Sequence, residues 1–298
     1  MKWLSLLMLL PLAGAAIISA LPKGNEKAAK QAALGTTLVV MAATIAMAVG
    51  FQRDNVELQF VEKYEWIPSF GINFALGVDA IALVLILMST ILAPIVVLAG
   101  WDEAHGGRWS VKSFYILILV LETMMIGVFA ATDLFLFYVI FEAMLIPVYF
   151  LIGGYGTGER AAAAVKFLLY SLFGGLMMLA SIIVLYVMSG DQGGHTFDID
   201  KLSQLQMSST TQNLLFLGFF IAFAIKAPLW PFHTWLPDAA KSATPGTSVL
   251  LLGVLDKVGT FGMIRYCLTL FPEASKTFTP LIMVLAVISI LYGAFLAI

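Results

Sequence analysis

Phe219-Phe220-Ile221-Ala222-Phe223-Ala224-Ile225-Lys226-Ala227-Pro228-Leu229-Trp230-Pro231-Phe232-His233-Thr234-Trp235-Leu236-Pro237-Asp238 starts as an apolar helix, meets a lysine and then breaks. Proline removes a backbone donor and its ring clashes with the preceding turn, so Pro228, Pro231 and Pro237 cannot share one continuous helix. The run that begins near Leu214 therefore reads as a helix interrupted at about 228–237, with a second half-helix expected from about Pro231 to Ala243. Broken helices at membrane depth are tolerated only where protein or a wet cavity surrounds them, and in transporters they mark ion sites.

The composition around that stretch makes membrane depth the right setting. Of 298 residues, 61% are hydrophobic and 11% charged, with a mean hydropathy of +0.97. Average soluble domains carry about 25% charged residues, so a water-soluble globule is excluded. A net charge of −2 offers no basic footprint for nucleic acid. One cysteine, Cys267, excludes an internal disulfide and any cluster held by several thiolates.

About nine apolar runs are long enough to span a bilayer: 4–21, 32–51, 79–100, 114–131, 134–152, 161–188, 214–228, 247–266 and 278–298. Barrel strands would alternate in polarity over shorter segments, so the fold class expected is all-α, a polytopic transmembrane helix bundle whose span seven is broken by proline. The first run is longer than the apolar core of a usual signal peptide and is kept as span one. The sequence closes on Ala294-Phe295-Leu296-Ala297-Ile298 inside an apolar run, which predicts a piece of a longer protein. Lys23, Lys27 and Lys30 between spans one and two predict a cytoplasmic hinge and an N-terminus outside. Alternation then puts Asp54, Glu57, Glu62 and Glu65 outside in a polar loop, with Asp191, Asp198 and Asp200. It puts Arg108, Lys112, Arg160 and Lys166 inside. Asp79 and Asp133 stand where a carboxylate serves as a helix N-cap.

An ionisable group at the bilayer centre costs roughly 2.5 to 3.5 kcal/mol on insertion scales, so each one needs a compensating reason. Glu122 in span four, Glu142 in span five, Lys226 before the break and Lys257 in span eight all pose that question. Lys257 follows Pro245 by about 18 Å of helix. Such groups suit a proton relay, and equally an inert ion pair or a lysine reaching for the interface. His233 beside the break is a further relay candidate, or a structural donor. Asp256 adjoins Lys257, but neighbours on a helix point about 100° apart, so a separate local contact is expected for it.

Phe129-Ala130-Ala131-Thr132-Asp133-Leu134-Phe135-Leu136-Phe137-Tyr138, Phe141-Glu142-Ala143-Met144-Leu145-Ile146-Pro147, Ala164-Val165-Lys166-Phe167, Lys226-Ala227-Pro228 with His233-Thr234-Trp235-Leu236-Pro237-Asp238-Ala239, and Ser248-Val249-Leu250-Leu251 with Lys257 occur in this order. Together they resemble the subunit M family of proton-pumping NADH-quinone oxidoreductase, respiratory complex I, itself related to cation/proton antiporter subunits. The resemblance implies an antiporter-like fold of about 14 helices with two inverted five-helix repeats. Residues 1–112 would then be three leading helices, 113–270 the first repeat, and 271–298 the start of an incomplete second one. Glu142 would pair with Lys226, Lys257 would lead to the central relay, and Glu122 would match a further helix-four acid.

The resemblance also implies no cofactor on this chain, with NAD, FMN, iron–sulfur clusters and quinone on partner subunits. The partners implied are the other membrane subunits of complex I, especially neighbouring antiporter-like ones, in a bacterial inner membrane. Ala240-Lys241-Ser242-Ala243-Thr244-Pro245 departs from the family's usual pattern, as does Asp256, where an apolar residue is usual. Two rival functions share these features: a secondary sodium/proton antiporter subunit and a non-catalytic membrane scaffold.

Overall fold

The computed structural model describes residues 2–22, 24–105 and 107–297; Lys23 and Ile298, used above, lie outside the described residues. Nine helical stretches among the described residues are long and apolar enough to cross a membrane. Several begin at a capping side chain. α1 (Trp3–Ala20) leads into α2 (Glu26–Val49), which the Asn25 side chain caps. α3 (Ala80–Ala99) starts at Asp79, whose Oδ1 accepts from the Ala82 N–H at 2.8 Å. α4 (Val111–Ala130) starts at Ser110. α5 (Leu134–Ala143) starts at Asp133, which accepts from Phe135 and Leu136, both at 3.0 Å. Both aspartates are thus caps, as the sequence predicts.

Span five is not one rod. α5 gives way at Met144 to α6 (Leu145–Tyr155). Pro147 has no N–H for the Ala143 carbonyl four residues back, so the helical ladder loses a rung there. α7 (Arg160–Asp191) is the longest helix, followed by the short α8 (Ile199–Leu202) and by α9 (Ser209–Lys226). The second half-helix, α10 (Trp235–Ser242), is shorter than the expected 231–243. Pro228 and Pro231 leave residues 227–234 in turns, held by Phe232 N–H donating to the Leu229 carbonyl at 2.7 Å. Pro237 falls in the first turn of α10, where a missing donor costs nothing. Span eight consists of α11 (Pro245–Leu250), α12 (Asp256–Gly262) and α13 (Leu268–Leu270), joined by wide π-type turns at Leu251–Leu255 and Met263–Cys267. α14 (Pro272–Ala297) closes the chain described here.

Within the helical bundle, the acidic stretch after α2 is more ordered than the polar loop the sequence predicts. It forms an antiparallel hairpin, β1 (Gln59–Ile67) against β2 (Ile72–Val78), with Glu62 opposite Leu76 and Tyr64 opposite Phe74. Gly71 makes the reversal at φ +66°, a left-handed backbone that favours glycine. The pattern misleads because the buried position is charged. Glu62 is 7% exposed and its Oε1 accepts from the Leu4 N–H at 2.8 Å, while Ser5 Oγ donates to Oε2. The carboxylate satisfies orphan donors at the positive end of α1.

Polar contacts gather at the two ends of the bundle. One end carries the hairpin, Asp133 bonded to the Asn73 N–H at 3.1 Å, and the Arg265–Asp79 ion pair. The other carries Lys30–Asp102 at 2.9 Å, Lys112 donating to the Leu21 carbonyl at 2.6 Å, and Glu103 accepting from the Gly246 N–H at 2.9 Å. The alternation of spans read from the sequence requires this grouping. α4 is the most enclosed span and α14 the least.

Candidate functional site

Two helix interruptions face one another beside α7: the α5–α6 break and the end of α9. Lys226 is the last residue of α9 and is 1% exposed. Its Nζ has no hydrogen-bond partner in the protein. The nearest support is aromatic, with the Phe141 and Phe167 ring centroids 4.8 and 5.9 Å away. A desolvated cation–π contact contributes about 2 kcal/mol, whereas effective desolvation of a buried ion costs several. The ammonium is therefore held in a site that does not fully compensate it.

Glu142 is the charge that answers Lys226. It lies next to the last residue of α5, and its Oε1 is buried without a partner. The two groups are near enough to act on each other, yet they make no direct ion pair. Breaking or making such a contact changes the proton affinity of both partners. That is the chemical use of the arrangement.

α7 shapes the space between them. A Cβ at Gly175 would overlap Glu142 Oε1, and one at Gly174 would stand 3.0 Å from the Ala222 Cα of α9. Both glycines are small because other groups occupy the place of a side chain. Ser171, one turn earlier on the same buried face, is 3% exposed and its Oγ is unpartnered. Sequence reasoning missed these three residues together with Phe141 and Phe167. The available signal was Ser171 and Gly175 four apart in an apolar span, a helical face kept small.

Beyond Lys226 the break is well satisfied. Leu229 N–H donates to the Ala224 carbonyl at 2.8 Å, and Trp235 Nε1 donates to that of Ile225 at 2.8 Å. The Trp230–Pro231 peptide is cis. α14 supports the break from outside, where Ser289 Oγ accepts from the Trp230 N–H at 2.9 Å. His233 packs edge-on against Tyr292, with centroids 4.9 Å apart, and its Nδ1 is buried and unpartnered.

The other expected residues stand apart from this pair. Glu122 is fully buried in α4, both oxygens lack partners, and no charged side chain faces it. Lys166, at the start of α7, reaches Asp238 of α10 at 2.7 Å. Lys257 has a 44% exposed side chain and pairs with Asp256 at 2.7 Å. This corrects the expectation that adjacent residues point apart. The backbone directions do diverge, but the four-carbon lysine stem bends back across the gap. Among the described residues no three His, Cys, Asp or Glu gather as metal ligands do.

A helical membrane chain with a proline-broken helix ending in a buried lysine opposite a half-buried glutamate defines an antiporter-like membrane protein. Residues 131–298 match the family described as NADH:quinone oxidoreductase/Mrp antiporter, TM, and the chain belongs to that family. Subunit M of NADH-quinone oxidoreductase from Mycobacterium tuberculosis is 47% identical, over 99% of this chain and 60% of that protein. A chain of respiratory complex I from Thermus thermophilus superposes with a TM-score of 0.85 at 30% identity, over 99% of this chain and 59% of the other. A chain of the Mrp complex from a Dietzia species shares the fold, with a TM-score of 0.75 at 21% identity, over 91% of this chain and 29% of the other. The chain thus spans about three fifths of the length of relatives it matches.

Proposed function

We propose that this chain is the proton-translocating part of a subunit M of NADH-quinone oxidoreductase, driven by electron transfer from NADH to quinone on other subunits. The observation that carries the reading is the Glu142–Lys226 pair, a buried lysine and a half-buried glutamate on interrupted helices, each with an enclosed polar atom that has no partner. The 47% identity to a subunit M favours this reading over the sodium/proton antiporter, whose Mrp likeness extends to the fold alone. In the proposed cycle, closing the Glu142–Lys226 contact stabilises the ammonium and opening it releases a proton toward Lys257, with His233 and Glu122 as further relay groups. Residues 113–270 form the first repeat on this reading.

The site's partners would be the neighbouring antiporter-like subunits and the lipid of a bacterial inner membrane, with the N-terminus outside. NAD, FMN, iron–sulfur clusters and quinone would belong to the other subunits. The test is NADH-driven proton uptake into inverted membrane vesicles carrying Lys257→Ala in the full-length subunit, with assembly of the complex verified. The proposal expects NADH-driven uptake to fall severalfold. Unchanged pumping with intact assembly would remove Lys257 from the path. Transport driven by an imposed ion gradient without NADH would favour the antiporter.

A further inference from the structure

Span eight presses on the end of α9 through two glycines, Gly262 against the Phe223 ring and Gly259 against the backbone. A Cβ on Gly259 would stand 2.6 Å from both the Ala227 nitrogen and the Phe223 carbonyl oxygen, so only the absence of a side chain permits the approach. Side chains three apart share one face of a helix. Asp256 therefore lies one turn from Gly259, on the side of α12 turned toward the break that follows Lys226. Lys257 lies round the helix on a more open side. The Asp256 carboxylate joins these two sides. Its Oδ2 is 2.7 Å from Lys257 Nζ, and its Oδ1 is buried with no protein partner. Leaving a buried acceptor without a partner is costly, a cost that a merely orienting ion pair does not require.

We propose that Asp256 is a proton-holding group between Lys226 and Lys257, a role that rests on the relay reading above. A proton arriving from the Lys226 side binds Oδ1 and makes the carboxylic acid. Rotation about the Cβ–Cγ bond turns that O–H toward Lys257, whose neutral amine takes the proton, leaving carboxylate and ammonium. Only O–H and N–H bonds are made and broken, and no electron moves. The orphaned position is the entry and the paired position the exit, so one side chain, by turning, carries the proton across the face of the helix.

The test compares Asp256→Asn, Asp256→Glu and Asp256→Leu in the full-length subunit within the assembled complex, reading proton uptake into inverted vesicles per NADH oxidised. Asparagine keeps the size and offers Lys257 an acceptor oxygen, so a purely structural role survives it while proton exchange does not. The expected result is at least about a threefold fall for asparagine, with glutamate restoring more than half of the wild-type ratio. Leucine, the type of residue usual at this place in the family, keeps the fold and is expected to fall with asparagine; it decides the matter where the asparagine variant fails to assemble. Uptake above half of wild type in the assembled asparagine variant, or in the leucine variant standing in for it, overturns the proposal, as does failure of glutamate to rescue. Lys257→Ala in the same vesicles separates the two ideas. If it abolishes pumping while Asp256→Asn does not, the inference alone falls; if it pumps normally, Lys257 leaves the relay path and the inference falls with it.

Discussion

At the scale of single residues, the site is defined by what lacks a partner. Lys226 Nζ, Glu142 Oε1 and Ser171 Oγ are all buried and unsatisfied, where most buried polar atoms in folded proteins are hydrogen-bonded. Gly175 is the simplest handle on this arrangement. Gly175→Ala places a methyl where Glu142 Oε1 now sits, and the carboxylate, as the end of a flexible side chain, swings away. We expect assembly to survive and NADH-driven proton uptake to drop by about an order of magnitude; wild-type uptake would show that the position of Glu142 is immaterial. The charges were legible in the sequence because an ionisable side chain in an apolar run has few bland explanations. Ser171, Gly175, Phe141 and Phe167 were not, because small and aromatic residues are ordinary in membrane helices. Asp256 was misjudged for another reason: helical angle fixes where a Cβ points, not where a long side chain ends.

At the scale of elements, apolar length and capping residues made the nine spans readable to within about six residues, and Pro228 announced the break in the seventh. The hairpin was hidden because its inward-facing position is Glu62, a residue that sequence patterns assign to solvent. Its role gives a prediction of its own. Glu62→Ala removes the acceptor for the Leu4 N–H at 2.8 Å and for the Ser5 N–H at 3.3 Å. Loss of such a cap costs about 0.5 to 2 kcal/mol, so thermal unfolding of the detergent-purified chain should move to lower temperature. An unchanged midpoint would mean that the hairpin does not anchor α1. The loop between α3 and α4 supplies a second, pH-dependent tie. Lys30 donates to Asp102 at 2.9 Å and, with its charge and that of His105 nearby, holds this carboxyl below its ordinary 3.8. Because the folded-state value is the lower one, the contribution is complete above the unfolded value and fades as pH falls through the folded one. Asp102→Asn should therefore be less stable than wild type near neutral pH, and the difference should close below about pH 4. A gap that stays constant into acid would contradict the pairing.

At the scale of the whole molecule, the bundle separates two polar ends with an apolar middle and puts Glu142 and Lys226 in that middle, at the places where helices are interrupted. Continuous helices would satisfy their own backbone and leave no reason for a lysine there. The family relationship rests on matches along nearly the whole of this chain, and the relay is the proposal built on it. The most direct test is NADH-driven proton uptake into inverted vesicles containing the full-length subunit with Lys226→Met, which keeps the bulk of the side chain and removes the ammonium. The account predicts an assembled complex whose uptake per NADH oxidised falls severalfold while the chain itself unfolds no more easily, since an uncompensated buried charge has gone. Wild-type uptake in that variant would contradict it.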